Sequence, residues 1–242
     1  MIVTGLLLAA VFAAAVLRGL TGFGFAMAAV PVMSLVVAPA RAVAIAIVLQ
    51  CLIGMRDVVA MHRLLDRRAL ALLTLGAVVG TPVGIWGLTH LPADTMRVVL
   101  AVLVGCGFLA LLTKLRLPDG PGPALGAGLV AGLFSGLAAM PGPPAIAYFL
   151  GRTQAADRTR ASLMVFFFLT SLLALPGLFW AGELTREAVL TAVLALPVLL
   201  LGTWAGSLGF HRLGDGGYRT VALILLAAMA VLTGARGLSG MT

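Results

Sequence analysis

The chain has 242 residues, of which 62% are hydrophobic and only 10% are charged, and its mean hydropathy is +1.15. A water-soluble domain carries about 25% charged residues, so this composition excludes an ordinary soluble domain and predicts an all-α polytopic membrane protein. The net charge of +8 does not indicate nucleic-acid binding, because the basic residues are scattered through short loops between apolar runs, where positive cytoplasmic loops of membrane proteins explain them.

Residues 1–17 are interpreted as the first membrane helix rather than as a signal peptide, because they have no basic start and no cleavage pattern. They lead into Arg18-Gly19-Leu20-Thr21-Gly22-Phe23-Gly24, and residues 19–40 carry no charge. An arginine at the bilayer centre costs about 2.5–3.5 kcal/mol on insertion scales, so it normally faces a protein interior or a water-filled cavity. The glycines predict a helix break, and exposed backbone at membrane depth is tolerated where it lines a cavity or is buried.

Fixed positive charge beside exposed backbone amides predicts a binding site for an anion. A guanidinium can donate two parallel hydrogen bonds to an oxyanion, and the N-terminus of the following half-helix adds a positive dipole. The candidate binding residues at this break are Arg18, Gly19, Thr21, Gly22 and Gly24. Two alternatives stay open: Arg18 could snorkel to the headgroups at a loop tip, and the glycines could serve close helix packing.

Further along the chain, Gln50 lies in the middle of the apolar run 42–55. Its amide must hydrogen-bond to another helix or line a water path, which makes it a further candidate. Thr170 and Ser171 occupy a similar position in the second half, where bonds back to their own helix are favoured. The two cysteines, Cys51 and Cys106, are interpreted as small buried core residues.

The uncharged runs 69–89, 161–182 and 188–210 are each long enough to cross a hydrocarbon core of ~30 Å. Two short motifs in these runs, Gly80-Thr81 and Gly202-Thr203, are interpreted as helix-packing positions.

A second break is predicted at 139–144, where three prolines occur in four residues. Its candidate binding residues are Ser135, Gly136, Pro141, Gly142 and Pro143. The alternative is a structural kink alone. A cavity-lining role is favoured because this stretch corresponds to the first break in an internal repeat.

The repeat consists of short matches in a shared order. Arg18-Gly19-Leu20 aligns with Ser135-Gly136-Leu137 at an offset of 117, and Gly80-Thr81-x-x-Gly84 aligns with Gly202-Thr203-x-x-Gly206 at an offset of 122. These matches predict two membrane repeats, 1–117 and 118–242. Internal repeats with interrupted helices are typical of secondary transporters.

The distribution of Lys and Arg tests the topology. One pass for each of eight apolar segments divides these residues almost equally between the two sides and gives no orientation. If the first segment of each half instead goes in and comes back, one side holds Arg56, Arg63, Arg67, Arg68, Lys114, Arg116, Arg152, Arg158, Arg160, Arg212 and Arg219, and the other holds Arg41, Arg97, Arg186 and Arg236. Positive-inside bias favours this second arrangement, with both termini outside. It predicts two inverted repeats of about five helical segments each, the first pair of each half being broken or re-entrant.

No Asp or Glu is expected deep inside an apolar run, because all eight fall near segment ends or in loops. Cation transport and carboxylate-based proton coupling are therefore disfavoured. The histidines show no metal-ligand spacing and no catalytic motif is present, so we predict no metal, no cofactor and no enzyme activity.

The first break and its surroundings, from Arg18 to Pro31, resemble the start of the sulfite exporter TauE/SafE family, also called the toluene-sulfonate uptake permease family. The stretch Ser135–Tyr148, with Gly142-Pro143-Pro144, resembles the second-half signature of that family. One departure is Ala139-Met140-Pro141-Gly142, where members often have a Gly-Gly-Pro-Pro-like break.

The resemblance implies a secondary transporter, often an exporter, of sulfite, sulfonates or other small organosulfur oxyanions. We expect alternating access in the inner membrane of a bacterium, with the lipid bilayer as surroundings and no nucleic-acid partner. A coupling proton or ion and a homodimer are left open. The alternatives are an anion channel and a non-transporting assembly or sensor subunit.

Overall fold

The computed structural model describes residues 2–21, 24–113, 115–152 and 155–208, and this part of the chain folds entirely into helices and connecting turns. The helices are α1 (Ile2–Thr21), α2 (Phe25–Met33), α3 (Pro39–Met61), α4 (Arg67–His90), α5 (Ala93–Thr113), α6 (Pro121–Ala138), α7 (Gly142–Leu150), α8 (Ala156–Trp180) and α9 (Arg186–Leu208), with a short 3-10 turn at His62–Leu64. The tenth predicted segment falls in 209–242, outside the described residues.

Six of these helices, α3, α4, α5, α6, α8 and α9, are long and apolar enough to cross a membrane, and α1 contains a shorter apolar stretch. Large apolar side chains cover the outer surface, including Trp86, Trp180 and Trp204 at 64%, 82% and 63% exposure. Such a surface is unfavourable in water but suits contact with lipid. Cys106 is also exposed, so the expectation that it is a buried core residue is wrong.

The first helix break lies between Thr21 and Phe25, and the second between Ala138 and Gly142. Each contains a left-handed backbone, at Gly24 (φ 87°) and at Ala139 (φ 59°). Glycine adopts this conformation freely, whereas at Ala139 it costs about 1–2 kcal/mol. The second break is narrower than predicted. Pro143 and Pro144 lie in the first turn of α7, where backbone N–H groups make no bond within the helix, so proline loses nothing there.

The two breaks are followed by two short helices of equal length. Each of α2 and α7 has 9 residues, and α7 begins and ends 117 positions after α2. At ~1.5 Å per residue such a helix spans about half of a ~30 Å hydrocarbon core. The start of α8 also follows the start of α3 by 117 positions, which matches the offset seen in the sequence.

Close helix contacts are made where glycines repeat every four residues. On α4, Gly80 and Gly84 lie against α6, so that a Cβ added at Gly84 would lie 3.0 Å from the Cα of Gly136. On α9, Gly206 lies against α1 in the same way, with an added Cβ 3.0 Å from the Cα of Gly19. The packing role predicted for the Gly80 and Gly202 motifs is therefore confirmed, because glycine lets helix backbones approach closely.

The α4–α6 contact leads to a first prediction. In Gly80→Ala the added Cβ would clash with the Leu129 carbonyl oxygen and lie 2.8 Å from the Leu133 nitrogen, so the helices must separate. Overpacking of this kind costs about 1–3 kcal/mol. We expect a clear fall in the thermal unfolding midpoint of detergent-solubilised protein, followed as loss of its monodisperse size-exclusion peak.

Gly126→Ala, on the facing helix α6, is the matched control, because nothing lies within 4 Å of its added Cβ. Its midpoint should equal or slightly exceed that of the wild type. Equal midpoints for the two variants would contradict the close α4–α6 contact.

Candidate functional site

A small internal cavity lies where the two helix breaks meet. Its volume is about 30 Å³. It is lined by Arg18, Gly24, Phe25, Ala26, Met27, Gln50, Gly54, Ala139, Met140, Pro141, Gly142, Met164, Phe167 and Phe168. The cavity therefore joins both breaks to one face of α3 and to the middle of α8.

Arg18 is in the last turn of α1, where its positive charge complements the negative end of the helix dipole. Its residue exposure is only 7%, so it does not snorkel to a loop tip. The Nη2 group donates a short hydrogen bond to Oδ2 of Asp57 and forms a buried ion pair with it. A buried guanidinium needs such a partner, because an unpaired buried charge costs several kcal/mol.

Asp57 lies near the end of its segment, as the sequence places it, but it is a buried carboxylate that sequence reasoning missed. It follows Arg56 near the end of an apolar run, which predicted a position at the membrane surface. The structure instead places it within α3 at 7% exposure, with its carboxylate held by Arg18. The signal that identifies it in the sequence is the spacing Gln50, Gly54, Asp57, which puts all three residues on one face of a helix.

Gln50 bridges the second break and α8. Its Nε2 donates a hydrogen bond of 3.1 Å to the Ala139 carbonyl, and its Oε1 accepts one of 3.3 Å from the Ser171 hydroxyl. Gln50 therefore both bonds to other segments and lines the cavity, which unites the two alternatives left open by the sequence. Thr170 bonds back to the Phe167 carbonyl of its own helix, as expected, whereas the same expectation is wrong for Ser171, which donates to Gln50.

The two breaks offer different numbers of backbone donors. The first N–H groups of a helix have no partner within it, and the first turn of α2, Phe25 to Met27, lines the cavity. At the start of α7 the sequence Pro141-Gly142-Pro143-Pro144 leaves Gly142 with the single N–H of that stretch. The N-terminus of α2 therefore gives the first break more backbone donors than the second, beside the Arg18–Asp57 pair.

The structure brings five of the predicted binding residues together at the cavity: Arg18, Gly24, Gln50, Pro141 and Gly142. Others lie elsewhere. Gly19 packs against α9 and Gly136 against α4, while Pro143 approaches Gly107 on α5. Ser135 is buried in α6 outside the cavity lining, and within the described residues its hydroxyl has no hydrogen-bond partner. Gly22 lies outside the described residues, and of Thr21 the structure describes only the backbone, at the end of α1.

Sequence reasoning missed a second polar cluster, at the end of α7. Arg152 pairs with Asp119 and, at 3.0 Å, with Asp66, and Tyr148 donates a hydrogen bond of 3.2 Å to Asp119. Burial lowers the pKa of Arg152, but the bond with Tyr148 and the two carboxylates outweigh burial and raise this pKa overall. The charged guanidinium thus ties the half-helix to the start of α4 and to the segment before α6.

Comparison with known proteins adds independent information. A family model described as sulfite exporter TauE/SafE matches residues 6–233, a range that contains both breaks. A curated relative from Cupriavidus necator, described as a probable sulfite/organosulfonate exporter TauE, is 28% identical over 148 residues. That match covers 59% of this chain and 58% of the relative, so the chain spans little more than half of that relative's length. No solved structure matches the chain significantly.

The bridging position of Gln50 leads to a second prediction. Gln50→Leu keeps the side-chain size but leaves the Ala139 carbonyl and the Ser171 hydroxyl without this partner. A buried polar group left unsatisfied costs about 1–3 kcal/mol. We expect the thermal unfolding midpoint of the purified protein to fall.

Thr170→Val provides the control, because Thr170 bonds only within its own helix among the hydrogen bonds described for it. Its midpoint should stay close to that of the wild type. If Gln50→Leu unfolds no earlier than Thr170→Val, the Gln50 bridge does not hold the second break.

Proposed function

Because the chain belongs to the sulfite exporter TauE/SafE family, we propose that it is a secondary transporter that exports small oxyanions, most of all sulfite and sulfonates. The observation that carries this proposal is a buried arginine at a cavity formed by two helix breaks. The printed name of the Cupriavidus necator relative supports the same class of substrate.

The chemistry of the cavity suits such an anion. The sulfur oxygens of sulfite and sulfonate present a paired acceptor edge to a guanidinium, which can donate two parallel bonds. The α2 amides from Phe25 to Met27 and the amide of Gly142 are further donors at the cavity wall. The apolar side chains Met164, Phe167 and Phe168 would exclude water on the α8 side and strengthen these interactions.

We further propose that residues 1–117 and 118–242 are inverted repeats that move against each other in alternating access. The equal helices α2 and α7 support the duplication, and so do the matching contacts of Gly84 with Gly136 and Gly206 with Gly19. The half-span length of α2 and α7 favours re-entrant segments over full passes. In this arrangement both ends of the chain face the outside of a bacterial inner membrane.

The volume of the cavity favours a transporter over an open channel. About 30 Å³ holds roughly two water molecules at ~10–15 Å³ each, so among the described residues this cavity is too small to serve as an open anion path. Substrate passage therefore requires a conformational change, as alternating access provides.

The proposed role of Arg18 leads to a third prediction, tested in proteoliposomes loaded with sulfite or methanesulfonate. Arg18→Gln should lower the initial efflux rate about 10- to 100-fold, because a hydrogen bond to a charged group contributes about 1.5–3 kcal/mol. The rates are normalised to the amount of protein recovered as a monodisperse species.

Arg97→Gln is the matched control. Arg97 is a half-buried arginine that pairs with Asp94 and bonds to the Ser34 carbonyl, away from the cavity. Its efflux rate should remain within about twofold of wild type, because Arg97 does not line the cavity and loss of a partly exposed pair costs little stability. Normal efflux by folded Arg18→Gln protein would refute the assignment of the site.

A further inference from the structure

The ion pair between Arg18 and Asp57 lies at the edge of the cavity rather than in a remote part of the core. Arg18 lines the cavity, and Asp57 is one helical turn beyond Gly54, which also lines it. A carboxylate offers a guanidinium the same kind of two-oxygen anionic edge that a sulfonate offers. The Asp57 carboxylate is therefore bound to the guanidinium of Arg18, the same group that binds the substrate in the proposed function.

We propose that Asp57 is an internal competitor of the substrate and the proton-carrying group of transport. The oxyanion displaces the Asp57 carboxylate from Arg18, the carboxylate takes up one proton from water, and anion and proton cross together. The only covalent change is the O–H bond formed on Asp57 and broken again when the anion leaves and the carboxylate returns to Arg18. This inference rests on the proposed function.

The balance of charge is the first argument. With Asp57 bound to Arg18 the buried site carries no net charge. An anion that arrives without a proton leaves a second buried anion with no cation to pair with. Buried charges without partners are strongly disfavoured, and such groups are neutralised by exchange of a proton. Uptake of one proton keeps the occupied site neutral.

The second argument is that the residues of the pair are not repeated at the matching positions of the second half. At the offset of 117, the positions that correspond to Arg18 and Asp57 are Ser135 and Ala174, both fully buried. An ion pair needed to stabilise the duplicated helix packing would be expected in both halves. Its presence beside the first break, and its absence from the matching positions Ser135 and Ala174, point to a role in binding and coupling.

The third argument comes from the charges around Asp57. Its own helix α3 packs against α2, which has no charged residue, and against α5, whose charged residues Asp94 and Arg97 pair with each other. The charged residues of α8 are Asp157, Arg158 and Arg160, all in its first two turns before Met164. The adjoining turn carries His62 and Arg63, which are both exposed. Helix α3 itself contains the exposed Arg56 and the thiol of Cys51, and Arg41 at its far end is paired with Glu187. Among the described residues, the ion pair that includes Asp57 is the one with Arg18. Displacement of Asp57 from Arg18 therefore removes the cation that neutralises it in the structure.

The test uses methanesulfonate, because this anion does not titrate near neutral pH, whereas sulfite binds and releases protons itself. Proteoliposomes are loaded with methanesulfonate and a pH-sensitive dye, and the membrane potential is clamped with potassium and valinomycin. Wild-type efflux should raise the internal pH, because one proton leaves with each anion. Methanesulfonate efflux without a pH change would overturn the inference.

Asp57→Asn separates coupling from binding. We expect exchange of internal for external methanesulfonate within about threefold of wild type, but no proton movement and little net efflux. Return of the empty carrier would expose Arg18 without a counter-anion. Asp94→Asn is the matched control and should behave like the wild type, because Asp94 pairs with Arg97 outside the cavity. Proton movement that persists in Asp57→Asn, or loss of exchange in folded Asp57→Asn protein, contradicts the role of Asp57.

A measurement on the wild type alone covers the case in which Asp57→Asn does not fold. If one proton binds with each anion, the apparent Kd for methanesulfonate, measured by thermal stabilisation, rises up to tenfold per pH unit. A Kd that stays constant from about pH 5 to pH 8, the range in which proteins are usually most stable, overturns the inference.

The outcomes also separate this inference from the proposed function. Absence of any sulfite or methanesulfonate flux in folded wild-type protein removes the proposed function and this inference with it. Flux that needs Arg18 but carries no proton leaves the transporter and its site intact and overturns the role of Asp57 alone.

Discussion

The need to neutralise one buried guanidinium governs the arrangement of this protein. Arg18 lies in an apolar environment at 7% exposure, so it must always have an anion within reach. In the structure Asp57 fills that requirement, and it does so from a different helix. The pair therefore fixes the end of α1 against α3 and places a paired cation at the cavity, whose partner is exchanged for the substrate in the proposed mechanism.

Helix breaks and glycine contacts bring the other parts of the site to this charge. The left-handed residue Gly24 caps the start of α2 and the left-handed residue Ala139 caps the end of α6, so that a half-length helix begins beside the cavity at each break. Glycines on α4 and α9 hold the longer helices α6 and α1 close enough for the two breaks to meet. Gln50 then joins α3 to the second break through the Ala139 carbonyl. Local backbone conformation and helix packing therefore both position the residues around the cavity beside Arg18.

Much of this arrangement could be predicted from the sequence. Hydropathy predicts the long helices, and glycines and prolines predict the two breaks to within a few residues, because these residues act locally on the backbone. The partner of Arg18 could not be predicted in this way, because burial of Asp57 depends on which helices cover the end of α3. The prediction that Cys106 is buried is wrong for a related reason, because an apolar position in a membrane helix can face lipid as well as the core. The distinction between Gly24, which lines the cavity, and Gly19, which packs against α9, likewise requires the tertiary contacts.

The two halves are similar in backbone but differ in chemistry. The second break replaces amide donors with prolines and has Ser135 and Ala174 where the first half has the ion pair. If both halves carried Arg and Asp, the cavity would have two cations and two competing carboxylates. A single bound anion could then replace the carboxylate at one arginine but not at the other. One charged half and one neutral half give a centre with one cation, which one oxyanion satisfies. In the proposed mechanism the duplicated frame provides the two-sided movement, and the asymmetry of its side chains sets the charge that is carried.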